Sequence, residues 1–85
     1  MLQIVEEESF RRCLADLRIE YKRLDEAMDG VRFALCRHPE TFPLVLGTYI
    51  RRVRIESCVG VPDCDVWFTH DNESVRLIHL ELLPS

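Results

Sequence analysis

The apolar residues change period at Pro39, and that change constrains the fold more than any other feature of the chain. Before it, Phe10, Leu14, Leu17, Tyr21, Leu24, Met28, Val31 and Leu35 recur at alternating steps of four and three. That spacing lays a single stripe along one side of a helix. After it, apolar residues alternate in short runs, 49–55, 65–70 and 74–83, set apart by Gly, Pro, Asp and Asn. These are the marks of half-buried strands joined by tight turns. The chain therefore reads as helices followed by a meander of strands. Pro39 disfavours helical geometry at His38, so the helical part stops at Arg37-His38.

Residues 2–5 suit a short opening strand, and Glu6, Glu7 and Glu8 supply the negative charge favoured at a helix N-terminus, so the first helix should start near Glu7. No Gly or Pro falls between Glu6 and Asp29. One helix of about thirty residues would be about 45 Å long. The 85 residues make one domain, 1–85, with a single modest core. A rod of that length could cover its stripe only against a second chain, as a homodimer, whereas a turn near Arg18-Ile19-Glu20 folds it into an αα-hairpin over one sheet face. The hairpin is expected, with the dimeric rod as its alternative. Gly30 inside the second helix suggests close packing. Residues 44–47 suit a short extended segment, and 60–63 and 71–73 are the two hairpin connections.

Eleven Lys and Arg against fifteen Asp and Glu give a net charge of −4. That balance excludes broad electrostatic capture of nucleic acid, leaving room only for a local patch. No apolar run is long enough for a bilayer, and the N-terminal segment lacks a basic stretch leading into a hydrophobic one. A cytoplasmic protein without membrane contact is expected. In that setting Cys13, Cys36, Cys58 and Cys64 are expected as free thiols. Cys58 and Cys64 could meet across a turn with His70 nearby, and Cys36 lies close to His38 in sequence, yet neither pair has metal-knuckle spacing. No metal and no other cofactor is expected.

Strand alternation puts Val53, Ile55, Val66, Phe68, Ile78, Leu80 and Leu82 on the face toward the helices. The other face then carries Arg52, Arg54, Asp65, Trp67, His79 and Glu81. Arginines for phosphate, Trp67 to stack a base, and His79 with Glu81 for proton transfer are the parts of an RNA site. Arg52, Arg54, His79 and Glu81 are thus the catalytic candidates. The plainer reading makes Arg52, Arg54, Asp65 and Glu81 solvated cross-strand ion pairs, with the arginines blunting a sheet edge. Trp67 is then either covered within the fold or exposed for a partner.

Read in order, Leu17, Tyr21, Leu24, Ala27, Leu35, His38-Pro39-Glu40, Gly47-Thr48-Tyr49-Ile50-Arg51, Val66-Trp67-Phe68-Thr69 and Val75-Arg76-Leu77-Ile78 resemble the RelE/ParE toxin superfamily over nearly the whole chain. The resemblance implies an α+β fold: a short N-terminal strand, then an αα-hairpin packed on one face of an antiparallel three- to four-stranded sheet. It also implies a type II toxin–antitoxin component whose partner is an antitoxin-like protein encoded nearby. RelE-like members cleave messenger RNA on the ribosome. This chain lacks their usual nuclease residues, with Asp65 where an Arg stands three before the aromatic Phe68, and Leu82-Leu83-Pro84-Ser85 where a basic or tyrosine-bearing tail is usual. The implied action is therefore protein binding through Arg52, Arg54, Asp65, Trp67 and His79. A ribosome-dependent endoribonuclease is the enzyme alternative, and a non-toxic interaction or dimerisation module of the same fold is the third.

Overall fold

Helical structure ends where the apolar period changes. The computed structural model describes residues 1–84; Ser85, the last residue of the tail singled out above, lies outside them. Helix α1 spans Glu8–Glu20 and α2 spans Leu24–Arg37, with a 3-10 turn over Pro39–Thr41. The chain breaks at residues 21–23, where the amide of Leu24 donates to the carbonyl of Tyr21. The αα-hairpin is thus present, with its turn three residues later than the sequence suggested. The stripe carries no helix breaker, so local sequence could not place the break. Phe10, Leu14, Leu24, Met28, Val31 and Leu35 are all buried, as the four-and-three spacing requires.

The strands are β1 (Gln3–Glu6), β2 (Arg51–Ile55), β3 (Cys64–His70) and β4 (Ser74–Leu82), in the order β1-β4-β3-β2. The fold is α+β, but the sheet is mixed. The β2-β3-β4 meander is antiparallel, and β1 joins beside β4 in parallel. The two helices separate β1 from the meander in sequence, which gives the chain room to return in the same direction. Helix and sheet residues share one core, in which the α1 and α2 stripes meet Val53, Ile55, Cys64, Val66, Phe68, Val75, Leu77 and Leu80.

A β-bulge corrects the expected inward face of β4. Pairing with β3 runs from Cys64 opposite Leu82 to Trp67 opposite His79, then resumes with Phe68 opposite Leu77, leaving Ile78 without a partner. One extra residue reverses the phase of the strand. Leu80 remains inward, but beyond the bulge Leu77 and Val75, both fully buried, replace Ile78. Leu82, expected in the core, is 40% exposed in an open recess beside Tyr21 and Pro62.

The edge of β4 changes hands at the same place. β1 covers it from Ser74 to Leu77. There β1 ends, and the amide of Glu7 donates to the Leu77 carbonyl while the Ser9 hydroxyl donates to that of Ile78. The start of α1 thereby continues the cover that β1 began. At the other edge, β2 is partly closed by the preceding segment. The Arg52 amide donates to Pro43 and Leu44 bridges Arg51, with a turn over residues 45–48 that has Gly47 at φ 78°.

Two glycines behave differently. Gly60, between β2 and β3, has φ 77°, and a Cβ there would lie 3.0 Å from the Arg23 side chain. Gly30 was expected to permit close packing, yet a Cβ at that position meets nothing within 4 Å. In the β3–β4 turn, Asp71 Oδ1 accepts from the amides of Glu73 (2.7 Å) and Ser74 (2.8 Å). Those bonds hold the Asp71 carboxyl below its usual range.

Candidate functional site

Strand register assembles the predicted face as two cross-strand rows. One is Arg54–Asp65–Glu81 and the other Arg52–Trp67–His79, each running through β2, β3 and β4. All six residues singled out for this face are therefore neighbours. Their chemistry differs from that of a row of solvated side chains.

Asp65 is the centre of the first row and is 3% exposed, the one buried charged residue among the described residues. Arg54 grips it with two bonds, Nε to Oδ1 at 2.9 Å and Nη2 to Oδ2 at 3.2 Å. Arg52 Nη1 stands 4.0 Å from Oδ2. The solvated ion pair expected from the sequence is instead half-buried: the carboxylate is withdrawn from water, while the two arginine side chains remain partly exposed. Hydrogen bonding to Asp65, and then its charge, push the Arg54 guanidinium above its ordinary value. A carboxylate removed from water holds its cations more firmly than an exposed one, since leaving it unpaired would cost its desolvation. Glu81 faces Asp65 in register, acid beside acid, and is exposed, so it adds no attraction to the row.

In the second row the expected proton-transfer pair does not form. His79 Nδ1 lies 3.6 Å from Cys13 Sγ of α1, and among the described residues no hydrogen bond or ion pair joins His79 to Glu81. The reason is the edge arrangement described above, which carries α1 past the second half of β4. Cys13 is the member of this site that sequence reading missed. Its only sequence signal is its place beside Phe10, Leu14 and Leu17 on the α1 stripe, while its partner is 66 residues away. Trp67 is half-buried, and its Nε1 is buried without an acceptor among the described residues. β1 pairs on the far side of β4 and does not adjoin Trp67 in the sheet.

Beside the site, at the β2 edge, the segment before β2 presents large apolar side chains to solvent. Leu46 is 99% exposed, Tyr49 92% and Leu44 53%. Arg51 anchors the base of this arch by donating to the Phe42 carbonyl at 2.6 Å.

The other sequence candidates separate. All four cysteines are free thiols. His70 sits at the opposite end of β3 from Cys64 and lines an open cleft of about 580 Å³ with Cys36, His38, Glu40 and Asp71. Among the described residues no three His, Cys, Asp or Glu side chains are grouped to hold a metal ion. No helix there is long and apolar enough to cross a membrane. No protein-family model matches this chain, and no curated protein matches it at a significant level.

Proposed function

We propose that this protein is a toxin-like component of a type II toxin–antitoxin pair that acts by binding protein, through the face of Arg52, Arg54, Asp65, Trp67 and His79 together with the adjoining arch. The observation that carries the reading is the burial of Asp65 beneath its two arginines. A nuclease must neutralise negative charge developing on the scissile phosphate, and each well-placed donor commonly lowers the barrier by about 3–4 kcal/mol. Here Arg54 is already committed on both arms to Asp65, and His79 is turned to a thiol. Freeing Arg54 for a phosphate would strand a buried carboxylate.

The same features suit a protein surface. A preformed bidentate arginine, a half-buried tryptophan and neighbouring apolar side chains are the residue types that dominate protein contacts. The exposed Leu44, Leu46 and Tyr49 form an apolar group beside charged residues, the composition expected of an interaction site. An antitoxin-like protein encoded nearby is the expected partner.

Two measurements test the reading. The purified protein should leave messenger RNA intact with and without ribosomes, and should form a stable complex with the product of an adjacent antitoxin-like reading frame, weakened by Tyr49→Ser or Trp67→Ala. Ribosome-dependent cleavage abolished by Arg54→Ala or His79→Ala would replace this reading with the endoribonuclease. An inert protein that neither binds such a product nor impairs growth would leave the non-toxic module of the same fold.

A further inference from the structure

The four thiols occupy four distinct environments, and one of them is chemically equipped. Cys64 is fully buried, where desolvation pushes its thiol up to about 11. Cys36 Sγ donates to the Phe33 carbonyl at 3.2 Å. Cys58 is exposed on the β2–β3 connection. Cys13 alone is held against a base, with its Sγ 3.6 Å from His79 Nδ1 and both side chains half-buried. A thiol beside an imidazole has a base within reach of its proton, the arrangement that activates a cysteine as a nucleophile.

The surroundings of the pair favour an anionic reagent. His79 stands between Cys13 on α1 and Trp67 on β3, to which it is paired in register. Arg52, next in the row, keeps a 39% exposed side chain and only a 4.0 Å contact with Asp65. A reagent carboxylate has the Arg52 guanidinium within the same row to pair with.

We infer that Cys13 and His79 form a reactive pair that undergoes thiol–disulfide exchange with small carboxylate-bearing disulfides, of which oxidised glutathione is the representative. With His79 in the tautomer protonated at Nε2, the Cys13 thiol gives its proton to Nδ1. The thiolate attacks one sulfur of the disulfide; the new Sγ–S bond forms as the old S–S bond breaks. The departing thiolate takes the proton from His79 and leaves as the free thiol. One small disulfide is reduced to a thiol and a mixed disulfide, and Cys13 carries the other half. The adduct sits between α1 and β4, where α1 covers the strand edge, so modification loosens that cover.

The test is site-resolved mass spectrometry after exposure to oxidised glutathione at neutral pH, with acid quenching, and Cys58 in the same sample as reference. Cys13 should be glutathionylated at least about tenfold faster than Cys58 in the folded protein, despite its lower exposure, and at about the same rate in urea. His79→Gln, shown to be folded by circular dichroism, should abolish the lead. Arg52→Gln should slow glutathionylation of Cys13 while leaving its alkylation by iodoacetamide unchanged, because only the former reagent carries carboxylates to the site. Faster reaction at Cys58 in the wild type, or a Cys13 lead that survives in folded His79→Gln, would overturn the pair. An Arg52→Gln effect on both reagents alike would overturn the anionic selectivity. Should His79→Gln not fold, the wild-type comparison of folded and unfolded protein decides.

Discussion

Replacing Leu77 and Leu82 separately by Ala measures the phase reversal in β4. Leu77 is fully buried on the helix side of the bulge, and Leu82 is 40% exposed at the end of the strand. Truncating a fully buried leucine removes its transfer free energy and leaves a cavity, about 2–5 kcal/mol in all. Leu82 loses only part of that transfer term, and solvent fills the vacated space, so about 1 kcal/mol or less is expected. A chain of 85 residues has about 4–13 kcal/mol of total stability. At about 4–8 °C per kcal/mol for a domain of this size, a loss of about 3 kcal/mol lowers Tm by about 12–24 °C. Leu82→Ala should lower it by less than about 8 °C. Thermal unfolding followed by far-ultraviolet circular dichroism reads both. Uninterrupted alternation would reverse the ranking, so a Leu82→Ala shift equal to or larger than that of Leu77→Ala would refute the bulge and the face assignment that depends on it.

Gly30→Ala should raise stability by about 0.5–1 kcal/mol in denaturant titration, because the position is helical and open; a loss would mean that the glycine serves a contact. Trp67→Phe should keep or raise Tm, since it removes a buried N–H that meets no acceptor among the described residues, at a cost of about 1–3 kcal/mol, while Trp67→Ala should lower it; equal losses would show the N–H to be bonded. The Cys64 thiol, raised by burial from 9.0 to about 11, contributes stability that is complete below about pH 9 and is lost as pH rises toward 11, because the unfolded chain releases that proton first. Unfolding free energies across that window should fall more steeply for the wild type than for Cys64→Ala, and parallel curves would contradict the shift.

What the sequence disclosed and what it withheld follow from the range of the interactions involved. The helical stripe and the strand runs are local periodicities, and they located the helical region and the three strands of the meander to within a few residues, though not the break between the helices or the 3-10 turn after them. The bulge also had a local signature. Val75 and Leu77 belong to one alternating set, Ile78, Leu80 and Leu82 to the other, and the two meet at the adjacent pair Leu77-Ile78, which a single-phase strand cannot accommodate. The parallel entry of β1 had none, because it depends on two segments at opposite ends of the chain. The members of the charged face were legible because each row follows from strand period. The burial of Asp65 was not, since it requires Arg52 and Arg54 to lie across it from the neighbouring strand, and the diversion of His79 required a cysteine on a helix.

The joining of β1 and α1 to β4 sets the order in which the domain can be completed. The first strand emerges from the ribosome with no partner, and roughly seventy residues separate Glu6 from Ser74. At about 5–20 residues per second that is a wait of about 3–14 s. Until then β2 and β3 can pair with each other, but the helical hairpin lacks the strand that brings Val75, Leu77 and Leu80 to its core. Closing a loop that spans most of the chain also slows folding relative to a helical bundle of equal size. The nascent domain is therefore open to proteases and aggregation until β4 appears, because that strand supplies the pairing that joins β1 and the start of α1 to the rest of the sheet.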